Sequence, residues 1–332
     1  MFLDKTDLRI IEEMSEDSRT HLKRIAGLAG VSIQTISSRL KRLEKELGLR
    51  YSLEFDLERV GLSTEHFIRI KFREGAEPTE EAYREALSHS AIQLACRTSG
   101  DFDLFLWAVT NSPAAFASEV EPSVRDALGE FVEDWTAHPS VSRRAGFLPI
   151  SSSLVEEFRL PRSRRRTLEI LNEDGRISVT DIAEQLGVTE PTAEYHLKKC
   201  KQYIRRFTAY FEGRGEFVHA IRFVQAVGKK AELKLEGRII TEAYLSPETR
   251  LFNRLVYAAT PSGGMDAFFI ETYSSLEDYE ATRAHLFANS KIIGKSAVAQ
   301  VTRVLKGTIP IRKVRIEKEC DYLISPAEIS ED

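Results

Sequence analysis

Residues 30–46 read GVSIQTISSRLKRLEKE, and residues 187–203 read GVTEPTAEYHLKKCKQY. A segment that recurs at a fixed offset marks a duplicated unit, and each copy must bury its apolar face alone or against its twin. Shifting the chain by 157 residues aligns 13–43 with 170–200 without a gap, and ten of the 31 positions are identical. Glu16, Asp17, Arg19, Ile25, Ala26, Gly30, Val31, Thr35, Leu40 and Lys41 return as Glu173, Asp174, Arg176, Ile182, Ala183, Gly187, Val188, Thr192, Leu197 and Lys198. Further on, TSGDFDLFLWAVTNS at 98–112 matches PSGGMDAFFIETYSS at 261–275 at an offset of 163, with Ser99, Gly100 and Asp103 answered by Ser262, Gly263 and Asp266. The unit therefore has a helical part and a second part, and the whole unit occurs twice.

A chain of 332 residues exceeds a single core, so two to four domains are expected. Its 42% hydrophobic content is that of a soluble globular protein, and no apolar run approaches the roughly 20 residues of a membrane helix. The start, MFLDKTDLRIIEEM, has no apolar leader, so a cytoplasmic location without membrane attachment is expected. Cys96, Cys200 and Cys320 lie far apart, which fits a reducing compartment and gives neither a disulfide framework nor a metal cluster.

The net charge of −4 is unevenly spread. Arg19–Arg50 holds eight Lys/Arg against two acids, Glu74–Asp134 thirteen acids against three Arg, and Arg159–Arg214 twelve Lys/Arg against eight acids. Alternating blocks point to separate modules, with the basic ones suited to phosphate contact.

The helical part reads as three helices. The first runs from about Asp4, an N-cap type, to Met14; the second spans Leu22 to Leu28 and stops at Gly30. The third starts at Ser32 and places Ile36, Leu40, Leu43 and Leu47 on one stripe, so it buries one face. LRYSLEFDL follows as a strand or wing, completing a winged helix-turn-helix pattern. Opposite the stripe lie Gln34, Ser38, Lys41 and Lys45, flanked by Thr35, Ser37 and Arg42, with Ser32 at the helix start as a further candidate contact. Amide, hydroxyl and cationic groups on one helix face match base edges and phosphates, whereas a plain solvated face is the alternative.

In the second copy the buried stripe becomes Ala193, Leu197, Cys200 and Ile204, so a packing role is expected for Cys200. Tyr195, Lys198 and Lys199 point outward, but Glu190 and Glu194 oppose a phosphate backbone. RSRRR at 162–166 reads either as a phosphate-binding arm or as a charged linker.

Beyond Phe67 the pattern alternates. FIRIKF reads as a strand, EPTEEAYREALSH as a helix, and IQLACRTSGDFDLFLWAV as a hairpin with a Ser-Gly-Asp turn. A helix over Pro113–Trp135 and a last strand in SVSRRAGFLPI complete β-α-β-β-α-β, the ferredoxin-like split motif. The same order is readable between Val218 and Ile311, with a helix expected near Ala231–Glu242. The expected fold is α+β: winged helix-turn-helix domains at 1–62 and 156–214 alternate with ferredoxin-like βαββαβ domains at 63–155 and 215–325.

LDKTDLRIIEEMSEDSR, a turn ending GVS, a helix ending RLKRLE and a GDFD hairpin resemble the Lrp/AsnC family of transcription regulators, here as a tandem fusion of two units. The resemblance implies that the N-terminal module binds double-stranded DNA. It also implies that the ferredoxin-like domain pairs sheets into a dimer and binds an amino-acid-like effector near the hairpin bearing Gly100, Asp101 and Asp103. A related branch with two fused units, the siroheme decarboxylases, supplies an enzyme alternative, although CRTSGDFDLFLWAV holds no histidine. A module that only contacts proteins is the third alternative. No catalytic residue, metal or cofactor is expected.

Overall fold

The computed structural model describes residues 3–212, 217–227, 255–287 and 293–312. The first unit runs α1 (Lys5–Glu16), α2 (Leu22–Ala29), α3 (Ile33–Leu47), β1 (Leu49–Phe55), β2 (Thr64–Phe72), α4 (Glu80–Ala86), β3 (Ile92–Gly100) and β4 (Leu104–Thr110). It continues through α5 (Pro113–Ala115), a π-helical turn (Phe116–Val120), α6 (Glu121–Leu128), β5 (Val132–Gly146) and α7 (Ser152–Val155). The second unit has α8 (Arg162–Glu173), α9 (Val179–Leu186), α10 (Glu190–Cys200), β6 (Ile204–Phe211), β7 (Val218–Ala226), β8 (Leu255–Pro261), β9 (Ala267–Tyr273), α11 (Leu276–Phe287) and β10 (Ile293–Lys306). The helix expected near Ala231–Glu242 lies outside the described residues.

The helix starts follow from local chemistry. Asp4 accepts from the backbone N–H groups of Thr6 and Asp7, and Asp7 returns the bond to the Asp4 N–H at 3.2 Å, a capping box that satisfies otherwise orphaned donors. Ser32 caps α3 by accepting from the Thr35 N–H at 3.1 Å, and Gly48 ends that helix at φ 67°, where a side chain would be strained. Ile36, Leu40 and Leu43 are buried on the predicted stripe, and Cys200 sits buried at its expected place, its thiol pushed up to about 12 by burial.

One predicted helix is shorter than its pattern suggested. The stretch expected over Pro113–Trp135 stops at Phe131, and Val132–Trp135 belong to β5, paired with β2. Pro122 has no N–H to give to the preceding turn, and a π-helical turn accommodates the defect, with the Glu121 N–H reaching Phe116 O. β5 then ends at Gly146 rather than running on through FLPI.

Eight strands close into a barrel in the order β10-β3-β4-β2-β5-β8-β9-β7. Each unit contributes four consecutive strands in the same relative order, β3-β4-β2-β5 and β8-β9-β7-β10. The two sheets pack face to face through Phe67, Phe105, Phe223 and Phe268, with Phe67 stacked on Phe268 at 4.0 Å, and they also join edge to edge through β5–β8 and β10–β3. Outside the first sheet, Ile68, Ile70, Leu104 and Leu106 pack against α4 and α6. Strand β1 forms no hairpin in its own unit. It pairs antiparallel with β6 of the other unit, Ser52 opposite Thr208.

Two shielded histidines, His66 buried and His219 half-buried, make the fold acid-sensitive. His66 stacks on Phe116 at 3.9 Å, and His219 shares a 2.7 Å hydrogen bond between Nδ1 and Thr272 Oγ1. Burial lowers each to about 4. Above the ordinary value near 6.5 both are neutral in folded and unfolded chains, so they cost nothing there. Between about 6.5 and 4 the unfolded chain binds protons that the folded chain refuses, and stability falls by about 1.4 kcal/mol per pH unit for each histidine. The urea midpoint should therefore drop between pH 7.5 and 5, and His219→Gln should remove about half of what His66 and His219 contribute together. An unchanged midpoint excludes this account.

Candidate nucleic-acid interface

Ser32, Gln34, Ser38, Lys41 and Lys45 are all exposed on α3, and Thr35 is half-buried. The hydroxyls are occupied locally: Ser32 and Thr35 share a 2.9 Å hydrogen bond, and Ser38 donates to Thr35 O at 3.0 Å. Gln34, Lys41 and Lys45 make no hydrogen bond or ion pair within the described residues, so amide and ammonium groups face solvent from one side of a rigid helix. Acids of the Glu74–Asp134 block find partners elsewhere, Glu80 with Arg303 and Glu121 with Arg125.

Arg42 departs from the expected outward face. Its Nη2 donates to Asp7 Oδ2 at 2.6 Å, while Arg39 donates to Asp7 Oδ1 at 3.0 Å and to Asp4 Oδ2 at 2.6 Å. Asp7 is 1% exposed, so its charge requires these partners. Hydrogen bonds from the Asp7 backbone and from Arg39 hold the Asp4 carboxyl below its ordinary range. Arg42 thus ties the recognition helix to α1, with part of its guanidinium still exposed.

In the second module Tyr195, Lys198 and Lys199 are exposed together on α10, with the Lys199 ammonium 5.5 Å from the Tyr195 ring. Glu190 and Glu194 are exposed on the same helix. The RSRRR segment is not a linker: it is the start of α8.

The modules are held together by the repeated Glu-Asp-x-Arg segment. Arg19 donates to Ile177 O at 2.9 Å and lies 4.9 Å from the Phe207 ring; Arg176 donates to Ser18 O at 2.5 Å and lies 5.3 Å from Tyr51. Asp17 and Asp174 each accept from the backbone N–H of the arginine two residues on. The Ser18 N–H donates to Phe207 O, and the Gly175 N–H to Tyr51 O. These reciprocal contacts, with the β1–β6 ladder, are those of a two-fold pair formed within one chain. The recurrence of Glu16, Asp17 and Arg19 as Glu173, Asp174 and Arg176 carried this signal, but without a partner surface it read only as similarity.

Of the hairpin residues, Asp103 braces its own sheet, while Gly100 and Asp101 serve the joint between units. Asp103 accepts from Lys71 Nζ at 3.0 Å and from the Phe72 N–H at 2.9 Å, and in the second unit Asp266 likewise accepts from the Ala226 N–H at 3.0 Å. Asp101 accepts from the Val298 N–H at 2.8 Å and returns its own N–H to Val298 O. A Cβ at Gly100 would lie 2.5 Å from Val298 O. Gly100, Asp101 and Asp103 are thus brought together where β10 meets the first sheet.

The AsnC-type helix-turn-helix domain family matches residues 3–44, and a winged helix-turn-helix DNA-binding family matches 160–203. The HTH-type transcriptional regulator FL11 of Pyrococcus furiosus is 30% identical over 104 residues, which cover 31% of this chain and 67% of the relative. The chain belongs to the Lrp/AsnC family. A proline dehydrogenase transcriptional activator of Rhizobium radiobacter is 29% identical over 154 residues, 45% of this Lrp/AsnC chain and 90% of that one. A solved siroheme decarboxylase, NirDL, aligns over 94% of both chains with a TM-score of 0.58 at 16% identity, a likeness of fold alone. Among the described residues of this Lrp/AsnC protein no helix is long and apolar enough to cross a membrane, and no three acids, histidines or cysteines are grouped as metal ligands.

Proposed function

We propose that this chain is a sequence-specific, DNA-binding transcription regulator in which one polypeptide does what a pair of single-unit family proteins does. The observation that carries the reading is the uncommitted, exposed row Gln34, Lys41 and Lys45 on α3, inside the module that matches the AsnC-type domain. In this reading two winged helix-turn-helix domains present α3 and α10 to half-sites about 34 Å apart on one face of the duplex. Two ferredoxin-like domains clamp the pair and respond to an amino-acid-like metabolite near Gly100, Asp101 and Asp103. Fusion makes the pairing intramolecular and lets the two helices diverge. It also uses up, in the barrel, the strand edges through which a second chain would add.

Duplexes selected from a random pool give the test. Log K for the selected duplex should fall linearly with log[salt], and Lys41→Ala or Lys45→Ala should each flatten that slope by about one where the lysine neutralises a phosphate. Gln34→Ala should cost about 1–3 kcal/mol at one base pair and relax its identity. If all three substitutions leave both quantities unchanged, α3 is not the reading helix.

The whole-chain likeness to NirDL favours a second reading, an enzyme on the same scaffold. Against it, the first hairpin holds no histidine, and burial lowers the pKa of His66, His138 and His219, keeping them neutral near pH 7. A siroheme absorbance spectrum unchanged by the protein retires the enzyme.

A further inference from the structure

The two helix-turn-helix modules differ most where α1 or α8 meets its recognition helix. In the first module this seam holds Lys5, Arg9, Arg39 and Arg42 against Asp4, Asp7, Glu12 and Glu13, four cations and four acids. Most of the charge is consumed internally: Arg39 and Arg42 are bonded to Asp7, and Arg9 lies 3.1 Å from Glu12, while Lys5 is exposed. At the equivalent places the second module has Pro161, Arg162, Arg164, Arg166, Glu169, Ile170, His196 and Lys199, four cations and one acid, and Arg165 adds a further cation where the first module has Leu8. The register is secure, because α1 and α8 begin and end at the same offset as the repeat.

This inverted seam is an open groove of about 760 Å³, walled by Arg162, Arg165, Arg166 and Glu169 from α8, Glu156 just before it, His196 from α10, and the α9–α10 turn, three arginines against two acids. Little of the charge is neutralised. Arg165 donates to Glu156 O at 2.9 Å, Arg166 to Glu169 at 3.0 Å, and Arg164 to Tyr203 Oη at 3.0 Å; Arg162 has no partner among the described residues. Uncompensated like charges held along one wall cost stability unless an anion meets them.

We propose that this groove is a docking surface for the phosphate backbone of duplex DNA. His196 of α10 lines the groove and Lys198 and Lys199 are exposed on the same helix, so one backbone can run from helix to groove. Labour is then divided: the first module reads bases through Gln34 and its neighbours, and the second, whose Glu190 and Glu194 oppose close base contact, anchors the chain through charge. The idea rests on the DNA-binding reading and assigns it an asymmetric mechanism.

The test uses the full chain, the duplex selected from a random pool, and a scrambled duplex of the same length. Arg162→Gln, Arg165→Gln and Arg166→Gln together should reduce the salt slope by about two to three and weaken both duplexes by the same factor, leaving their ratio unchanged. The triple Arg→Lys variant should keep the slope, because phosphate neutralisation needs charge rather than guanidinium shape. A wild-type slope in the Gln variant overturns the proposal while regulation stands. Loss of discrimination between the duplexes also overturns it, since that marks base reading. Loss of binding in both the Gln and the Lys variants assigns the arginines to folding and overturns it as well. Failure of the unaltered chain to bind any duplex overturns both readings.

Discussion

Gly146→Ala is expected to destabilise the protein by about 4 kcal/mol, a drop of roughly 10 °C in melting temperature. Gly146 ends β5 at φ 85°, a conformation that costs an L-residue about 1–2 kcal/mol. The larger part comes from the seam between the units: a Cβ there would lie 2.0 Å from Val256 O and 2.7 Å from Tyr257 Cα. Backbone of β8 would have to withdraw, breaking the 3.3 Å bond from the Phe147 N–H to Val256 O. Gly307 holds the corresponding place after β10, its added Cβ 2.1 Å from Gln93 O, so Gly307→Ala should behave alike. Gly30→Ala is the control, because Gly30 has φ 67° but nothing within 4 Å, and it should cost only about 1 kcal/mol. Thermal melts that place Gly146→Ala no lower than Gly30→Ala would show that the seam is not as tight as described.

Phe268→Ala should cost about 3–5 kcal/mol. Phe268 is fully buried and touches rings from both units: Phe67 at 4.0 Å, Phe223 at 4.9 Å and Phe105 at 5.6 Å. Truncation leaves a cavity between two sheets that are also bonded at both edges, so the surrounding strands cannot close it. Because the lost contacts bridge the units, both halves should still unfold in one transition, at lower urea. Val141→Ala, at a residue 70% exposed, should stay within about 0.5 kcal/mol of wild type. A Phe268→Ala variant as stable as Val141→Ala, or one that unfolds in two steps, would mean that the halves do not share a core.

The candidate site was partly legible before the fold was known. Helical period and cap chemistry are short-range, so Ser32, the apolar stripe and the exposed row Gln34, Ser38, Lys41 and Lys45 follow from spacing alone. Arg42 reads as part of that row, yet its guanidinium turns to a carboxylate 35 residues away on another helix. Asp101 and Asp103 read as a hairpin turn, and their jobs appear only when Val298, 197 residues from Asp101, and the end of β2, 31 residues from Asp103, are set beside them. The RSRRR segment has the composition of a linker; membership of α8 depends on Leu168 and Leu171 finding a core shared with the barrel.

The residues by themselves determined that two units exist, that each joins three helices to alternating strands, and which face of α3 is free, because these depend on periodicity and on groups within a few residues of one another. Tertiary structure alone decided that β1 pairs with β6 across the units, that two sheets close into one barrel, and that the shared Glu-Asp-x-Arg segment clasps one module to the other. Strand edges and buried charges are satisfied by whichever partner the whole chain brings near, and nothing in the local pattern of a strand specifies that partner.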